Sequence, residues 1–157
     1  MGNSPWLRLS RRRGVVAHDI LLFMDKITLA GCVILDGEGK VLLMHRNTSG
    51  RVQWELPGGK IEKGEDLAQT AQREVQEELG IMVAIVKKLG EKSFEEDAFT
   101  MDYVWFLATI ETGVPTLQEE KFDALQYFSW DELRGESNLS PNTINLVAAY
   151  FDKSLEL

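Results

Sequence analysis

GGKIEKGEDLAQTAQREVQEELGI, residues 58–81, is the stretch from which the fold can be read. Asp66 followed three residues later by Gln69 is a capping-box pattern, so a helix is expected to begin at Leu67. Gly80 stands where a left-handed stop ends such a helix. The interval predicts about 13 helical residues, roughly 20 Å at 1.5 Å per residue. Leu67, Ala71, Val75 and Leu79 recur every fourth position and form its core-facing row. Glu74, Glu77 and Glu78, at i, i+3 and i+4, emerge together beside that row, with Glu78 at its border and partly buried. Like charges this close repel, and more strongly away from water. Either they line a solvated face, or cations sit among them. Arg73 can neutralise one carboxylate and a divalent cation the rest; carboxylates, a carbonyl and water are the ligand set of Mg²⁺ or Mn²⁺.

The wider pattern decides between these readings. Gly59, five residues, Glu65, seven residues, then Arg73-Glu74-Val75-Gln76-Glu77-Glu78-Leu79-Gly80-Ile81 resembles the Nudix box at every defined position. The order of elements around it is similar to the Nudix fold: an α/β chain whose mixed β-sheet is sandwiched between helices. The resemblance, closest to the MutT-like branch, implies a Mg²⁺-dependent pyrophosphohydrolase, with Mn²⁺ as a substitute. It would cleave a phosphoanhydride in a nucleoside triphosphate or another nucleoside diphosphate derivative. An ADP-sugar, a dinucleoside polyphosphate or capped RNA are the alternative substrates. A nucleotide-sensing domain without turnover is the alternative of another class, although the box is intact. An isopentenyl diphosphate isomerase relative fits less well, because the single cysteine, Cys32, lies in an early apolar run.

The resemblance also implies site roles. The Gly58 carbonyl, Glu74, Glu77, Glu78 and Glu120 are the expected metal ligands. Arg73 fixes a carboxylate of the box. Glu77 is the first candidate for the general base, ahead of Glu120 and then Glu95 or Glu96; Glu119 is adjacent to Glu120. Arg46, Lys60 and Arg51 are cations for a polyphosphate, which a chain of net charge −8 would otherwise repel. Asn142, opening the last helix, has an amide that can pair bidentately with a purine edge; ordinary helix-start chemistry is the alternative. Phe23, Phe99, Tyr103 and Trp130 are stacking candidates or core residues.

The remaining chain supports one domain over residues 26–157. With 44% hydrophobic residues, a chain of 157 can bury an adequate core. The acidic balance argues against duplex nucleic acid as a partner. A lone cysteine excludes an internal disulfide and fits a reducing, cytoplasmic compartment. No membrane association is expected, and the protein is expected to be a monomer or homodimer. Residues 1–25 differ: Arg8, Arg11, Arg12 and Arg13 face only Asp19 and Asp25. This stretch lacks a secretory pattern, and Trp6 spoils a myristoylation signal. It reads as an extension, an organellar presequence, upstream sequence before Met24, or an added strand over residues 14–23.

Lys26–Leu35 reads as a central strand broken at Gly31, with Val41–Arg46 pairing back on it through the Asp36–Gly39 turn. Asn47–Val52 reads as a polar loop, Ile81–Lys88 as a strand, Phe94–Phe99 as an acidic loop or strand end, and Thr100–Ile110 as a central strand. Leu125–Trp130 is a short strand followed by a turn. Ser140-Pro141 opens a last helix whose core stripe is expected to be Ile144, Val147, Ala148 and Phe151.

Overall fold

The computed structural model describes residues 25–157; the expectations placed on residues 1–24, including a strand over 14–23 and stacking by Phe23, lie outside them. The elements run β1 (Lys26–Ile34), β2 (Val41–Thr48), β3 (Arg51–Glu55), β4 (Gly58–Lys60), α1 (Leu67–Leu79), β5 (Met82–Glu96), β6 (Phe99–Thr112), β7 (Phe122–Phe128), α2 (Trp130–Gly135) and α3 (Pro141–Phe151).

The strands divide between two sheets. One is mixed, in the order β4-β1-β6-β5, with β1 and β6 parallel. The other, β3-β2-β7, is antiparallel. Side chains alternate along each strand, so both faces carry apolar rows. Ala30, Cys32 and Ile34 of β1 join Val104 and Phe106 of β6 against Ala71, Val75 and Leu79 of α1. Val33, Tyr103 and Trp105 point the other way, into a cluster with Leu133 of α2 and Leu146 and Val147 of α3. Helices thus cover both sides of the strands, the α/β/α architecture expected.

Several expectations are corrected. β1 runs unbroken through Gly31, which pairs with Gly58 on one side and Trp105 on the other. β2 does not fold back on β1 beyond a single bridge, Leu35 to Val41; it joins the second sheet. The polar stretch after it is a two-residue turn, Ser49-Gly50, closing a hairpin whose last pair is Thr48 and Arg51. β5 extends to Glu96, and only Asp97 and Ala98 turn, both at positive φ. The turn expected after β7 is a short helix, α2, with its own capping box from Ser129 and Glu132.

α3 starts at Ser140 and Pro141 as read, but its buried face is Asn142, Thr143, Leu146 and Val147, while Ile144 is 53% exposed. Thr143 and Asn142 face the core because Ser140 and Trp105 satisfy them. A periodicity that counts polar residues as outward cannot find such a face. No helix among the described residues is long and apolar enough to cross a membrane.

Candidate active site

α1 forms as the sequence dictates. Asp66 accepts from the Gln69 N–H, the Gln69 side chain accepts from the Asp66 N–H, and Gly80 closes the helix at φ 66°. The helix lies against β4, the Gly58–Lys60 strand, whose first two glycines admit it closely. A Cβ on Gly59 would stand 2.5 Å from the Glu74 carboxyl group. The Gly58 N–H donates to Glu78 Oε1 at 2.9 Å.

Glu78 is not partly buried, as expected, but 2% exposed. Burial pushes its carboxyl well above the ordinary range, with the charge of Glu74 adding to the rise. Glu74 is half-buried and raised by burial too. Glu77 is about half exposed.

Arg73 does more than neutralise one carboxylate. Its Nε donates to Glu65 Oε1 at 2.5 Å, Nη1 to Glu74 Oε1 at 2.9 Å and Glu77 Oε2 at 3.2 Å, and Nη2 to the Lys60 carbonyl at 2.9 Å. One planar fork therefore fastens the loop after β4 to the acidic edge of α1. Glu65, held also by the Thr70 hydroxyl, is drawn down to about 2 mainly by Arg73.

Among the described residues no three histidine, cysteine, aspartate or glutamate side chains converge as a finished metal cage. The donor chemistry nevertheless fits a hard divalent cation. Glu78 is a buried carboxylate with no ion-pair partner among the described residues, beside half-buried Glu74. Such a group is costly in a protein interior unless a cation meets it. Glu74, Glu77 and Glu78 with the Gly58 carbonyl are the oxygens present to do so.

Beside this edge opens a cleft of about 730 Å³. Gly58, Gly59, Lys60 and Glu74 lie at one end; Phe94, Phe99, Met101 and Asn142 line it elsewhere. The expected anchors fare differently. Arg46 lines the cleft, next to a register shift between β2 and β7, but its guanidinium is engaged bidentately by Glu55 at 2.6 and 2.9 Å. Arg51 is similarly held by Glu96 and Asp97 at the β5–β6 turn. Lys60 is exposed at the rim.

Glu120 is exposed and does not line the cleft; neighbouring Glu119 is the residue whose charge reaches Glu78 and Arg46. Alternation along β5 also separates two candidates, sending Glu96 into the cleft and Glu95 to solvent. Burial raises Glu96 above its usual range. Asn142 lines the cleft, yet its Oδ1 accepts from Trp105 Nε1 at 2.8 Å. The indole N–H can only donate, so it takes one lone pair of the amide oxygen; the second lone pair and two Nδ2 protons remain. Trp130 stacks on Tyr150 at 3.9 Å, away from the cleft lining. Cys32 is fully buried and pushed up to about 12, a packing thiol and not a nucleophile.

The cleft residues that escaped the sequence reading include Lys121 and Glu55. Lys121 lines the cleft and its charge reaches Glu74 and Glu78, although Glu119 holds it at 2.9 Å. Glu55 anchors Arg46 and also accepts from Gln53 at 2.6 Å. The lysine immediately before β7 was the available signal for the first.

The sequence matches the NUDIX domain family over residues 26–150. It is 33% identical to the mouse (Mus musculus) oxidized purine nucleoside triphosphate hydrolase, over 64% of this chain and 65% of that protein. It is 43% identical to an RNA pyrophosphohydrolase of Dinoroseobacter shibae, over 39% of this chain and 38% of that protein. Each match therefore spans less than two-thirds of the relative's length. The crystal structure of a MutT protein from Methanosarcina mazei superposes with a TM-score of 0.73 at 25% identity, covering 83% of this chain and 96% of that one.

Proposed function

Because this chain belongs to the Nudix hydrolase family, we propose that it is a divalent-metal-dependent nucleotide pyrophosphohydrolase, with residues 26–157 as the catalytic domain and Mg²⁺ as the working ion. The observation that carries this reading is the buried Glu78 carboxylate, bonded to the Gly58 N–H and set beside Glu74 at the end of an open cleft. Glu74, Glu77, Glu78 and the Gly58 carbonyl hold the cation. When bound, it neutralises phosphate charge and lowers the pKa of water.

The chain's own residues do the rest. Arg73 keeps the acidic edge in register with the Lys60–Glu65 loop. Lys60 and Lys121 attract the polyphosphate. Phe94, Phe99 and Met101 offer an apolar bed for the nucleoside, and the Asn142 amide donates to an acceptor on its base. A proton leaves the attacking water to a carboxylate. Glu77 is the choice the family resemblance makes, and Glu96 the one favoured by its place in the cleft and its raised pKa. A nucleoside triphosphate is the preferred substrate, in keeping with the match to the mouse hydrolase; the RNA pyrophosphohydrolase match favours RNA second. A cytoplasmic protein acting without membrane or duplex partners is the setting we infer.

The test is a panel of nucleoside triphosphates, dinucleoside polyphosphates, ADP-ribose and triphosphate-ended RNA, with Mg²⁺ or EDTA. Release of pyrophosphate and a nucleoside monophosphate from a triphosphate, abolished by EDTA, is expected. Absence of turnover on the whole panel contradicts the proposal.

A further inference from the structure

Tyr103 lies on the floor of the cleft, on β6, with only 6% of its surface exposed. Its hydroxyl sits where two glycines of neighbouring strands meet. Gly31 and Gly58 pair across β1 and β4, and a Cβ built on either one would stand 2.2 Å from the Tyr103 oxygen. Each built Cβ would also strike backbone, the Pro57 carbonyl in one case and the Ala30 carbonyl in the other, at 2.6 Å. The two strands therefore approach as closely as glycine allows, and the phenol end occupies the notch they leave. Glycine within strands is destabilising, so this seat for one oxygen atom comes at a cost to the sheet.

The seated hydroxyl makes no hydrogen bond to any described residue. Tyr103 is itself part of the cleft lining, beside Gly58 and Gly59. Its hydroxyl stands beside Gly58, the residue whose N–H holds Glu78 and whose carbonyl belongs to the proposed metal end. Around it the arginines are occupied: Arg46 by Glu55, Arg51 by Glu96 and Asp97. A neutral hydroxyl in that position can donate to an anionic oxygen, and no carboxylate among the described residues accepts from it. A phenylalanine would fill the same apolar floor, so packing alone does not call for the oxygen.

We propose that Tyr103 is a substrate-contacting residue: its hydroxyl, seated in the Gly31–Gly58 notch, donates a hydrogen bond to a phosphate oxygen of the nucleotide held at the Gly58 end of the cleft. This rests on the pyrophosphohydrolase reading and adds the residue that registers the phosphate chain against the acidic edge. The contact needs only that the phenol keep its proton, which transfers nowhere.

The test compares the full-length protein with Tyr103→Phe, which removes the oxygen alone. Melting temperature without nucleotide, the Mg²⁺ concentration for half-maximal rate and kcat/KM on the best triphosphate are measured on both. The expected result is an unchanged or higher melting temperature, an unchanged Mg²⁺ requirement and a fall in kcat/KM of about 10- to 100-fold, the range for a hydrogen bond to a charged acceptor. A kcat/KM within twofold of wild type overturns the proposal. So does a lowered melting temperature or an insoluble variant, either of which reveals a structural partner for the hydroxyl. A shifted Mg²⁺ requirement overturns it as well, placing the residue's action on Gly58 and not on substrate. If the wild-type protein turns over nothing, the parent reading fails; calorimetry of Mg²⁺–pyrophosphate then decides this one. Binding at least tenfold tighter to wild type supports it, and a smaller difference overturns it.

Discussion

Replacing Glu78 by glutamine should move stability in opposite directions with and without metal. In metal-free protein the Glu78 carboxylate is 2% exposed and, among the described residues, has one hydrogen bond, from the Gly58 N–H at 2.9 Å. An uncompensated buried charge costs several kcal/mol, and a hydrogen bond to a charged acceptor returns about 2 kcal/mol of that. Glutamine keeps the shape and accepts the same N–H for about 1 kcal/mol without the charge. The balance is a gain of about 2 kcal/mol at pH 7, or a melting temperature about 4–8 °C higher for a chain of this size.

The pH dependence has a definite sign. A carboxyl whose folded pKa is raised contributes stability that is complete below its unfolded value, 4.5, and is lost as pH rises through the folded value. The advantage of the glutamine variant should therefore be absent near pH 4 and grow as pH rises. Mg²⁺ reverses the order. At a hundredfold excess over Kd it stabilises wild type by about 2.7 kcal/mol, and Glu78→Gln should gain little. Scanning calorimetry in EDTA and in Mg²⁺, at several pH values, reads all of this. A variant less stable than wild type in EDTA at pH 7, or stabilised equally by Mg²⁺, would refute the reasoning.

Arg73→Lys retains the charge but cannot bridge Glu65, Glu74 and the Lys60 carbonyl at once; kcat at saturating Mg²⁺ should fall about tenfold or more, and an unchanged kcat contradicts the fastening role. Glu96→Gln and Glu77→Gln, compared by pH–rate profile, identify the proton acceptor: its loss should lower kcat by about 10² and remove the acidic limb of the profile. Asn142→Ala leaves the buried Trp105 N–H unpaired, so the variant should lose about 1–3 kcal/mol of stability by denaturant titration; an unchanged midpoint contradicts the Trp105 bond.

What was legible in the sequence was whatever local chemistry specifies. Asp66, Gln69 and Gly80 bounded α1, and the spacing of Ala71, Val75 and Leu79 named its buried row, because capping and helical period act within a few residues. The depth of Glu78 was not legible, since it depends on β4 passing over the helix on two glycines. Pairing partners of β2 were not legible either: a hairpin turn at Asp36–Gly39 is local, but the choice of β3 and β7 over β1 is made by the whole core. The site divided in the same way. Arg73 and the glutamates follow from the box, whereas the commitments of Arg46 to Glu55, of Asn142 to Trp105 and of Tyr103 to the glycine notch join residues distant in the chain. Glu119 and Glu120 could not be separated without knowing which way the chain turns before β7.

The central claim is that a divalent cation is held between β4 and the acidic edge of α1. Substoichiometric Mn²⁺ added to ¹⁵N-labelled protein tests it most directly, through paramagnetic broadening of backbone amide signals. The account predicts that Gly58, Gly59 and residues 74–78 lose intensity first, while α2 and the C-terminal end of α3 keep theirs until higher Mn²⁺. Broadening centred on another part of the chain, or spread evenly over it, would contradict the account.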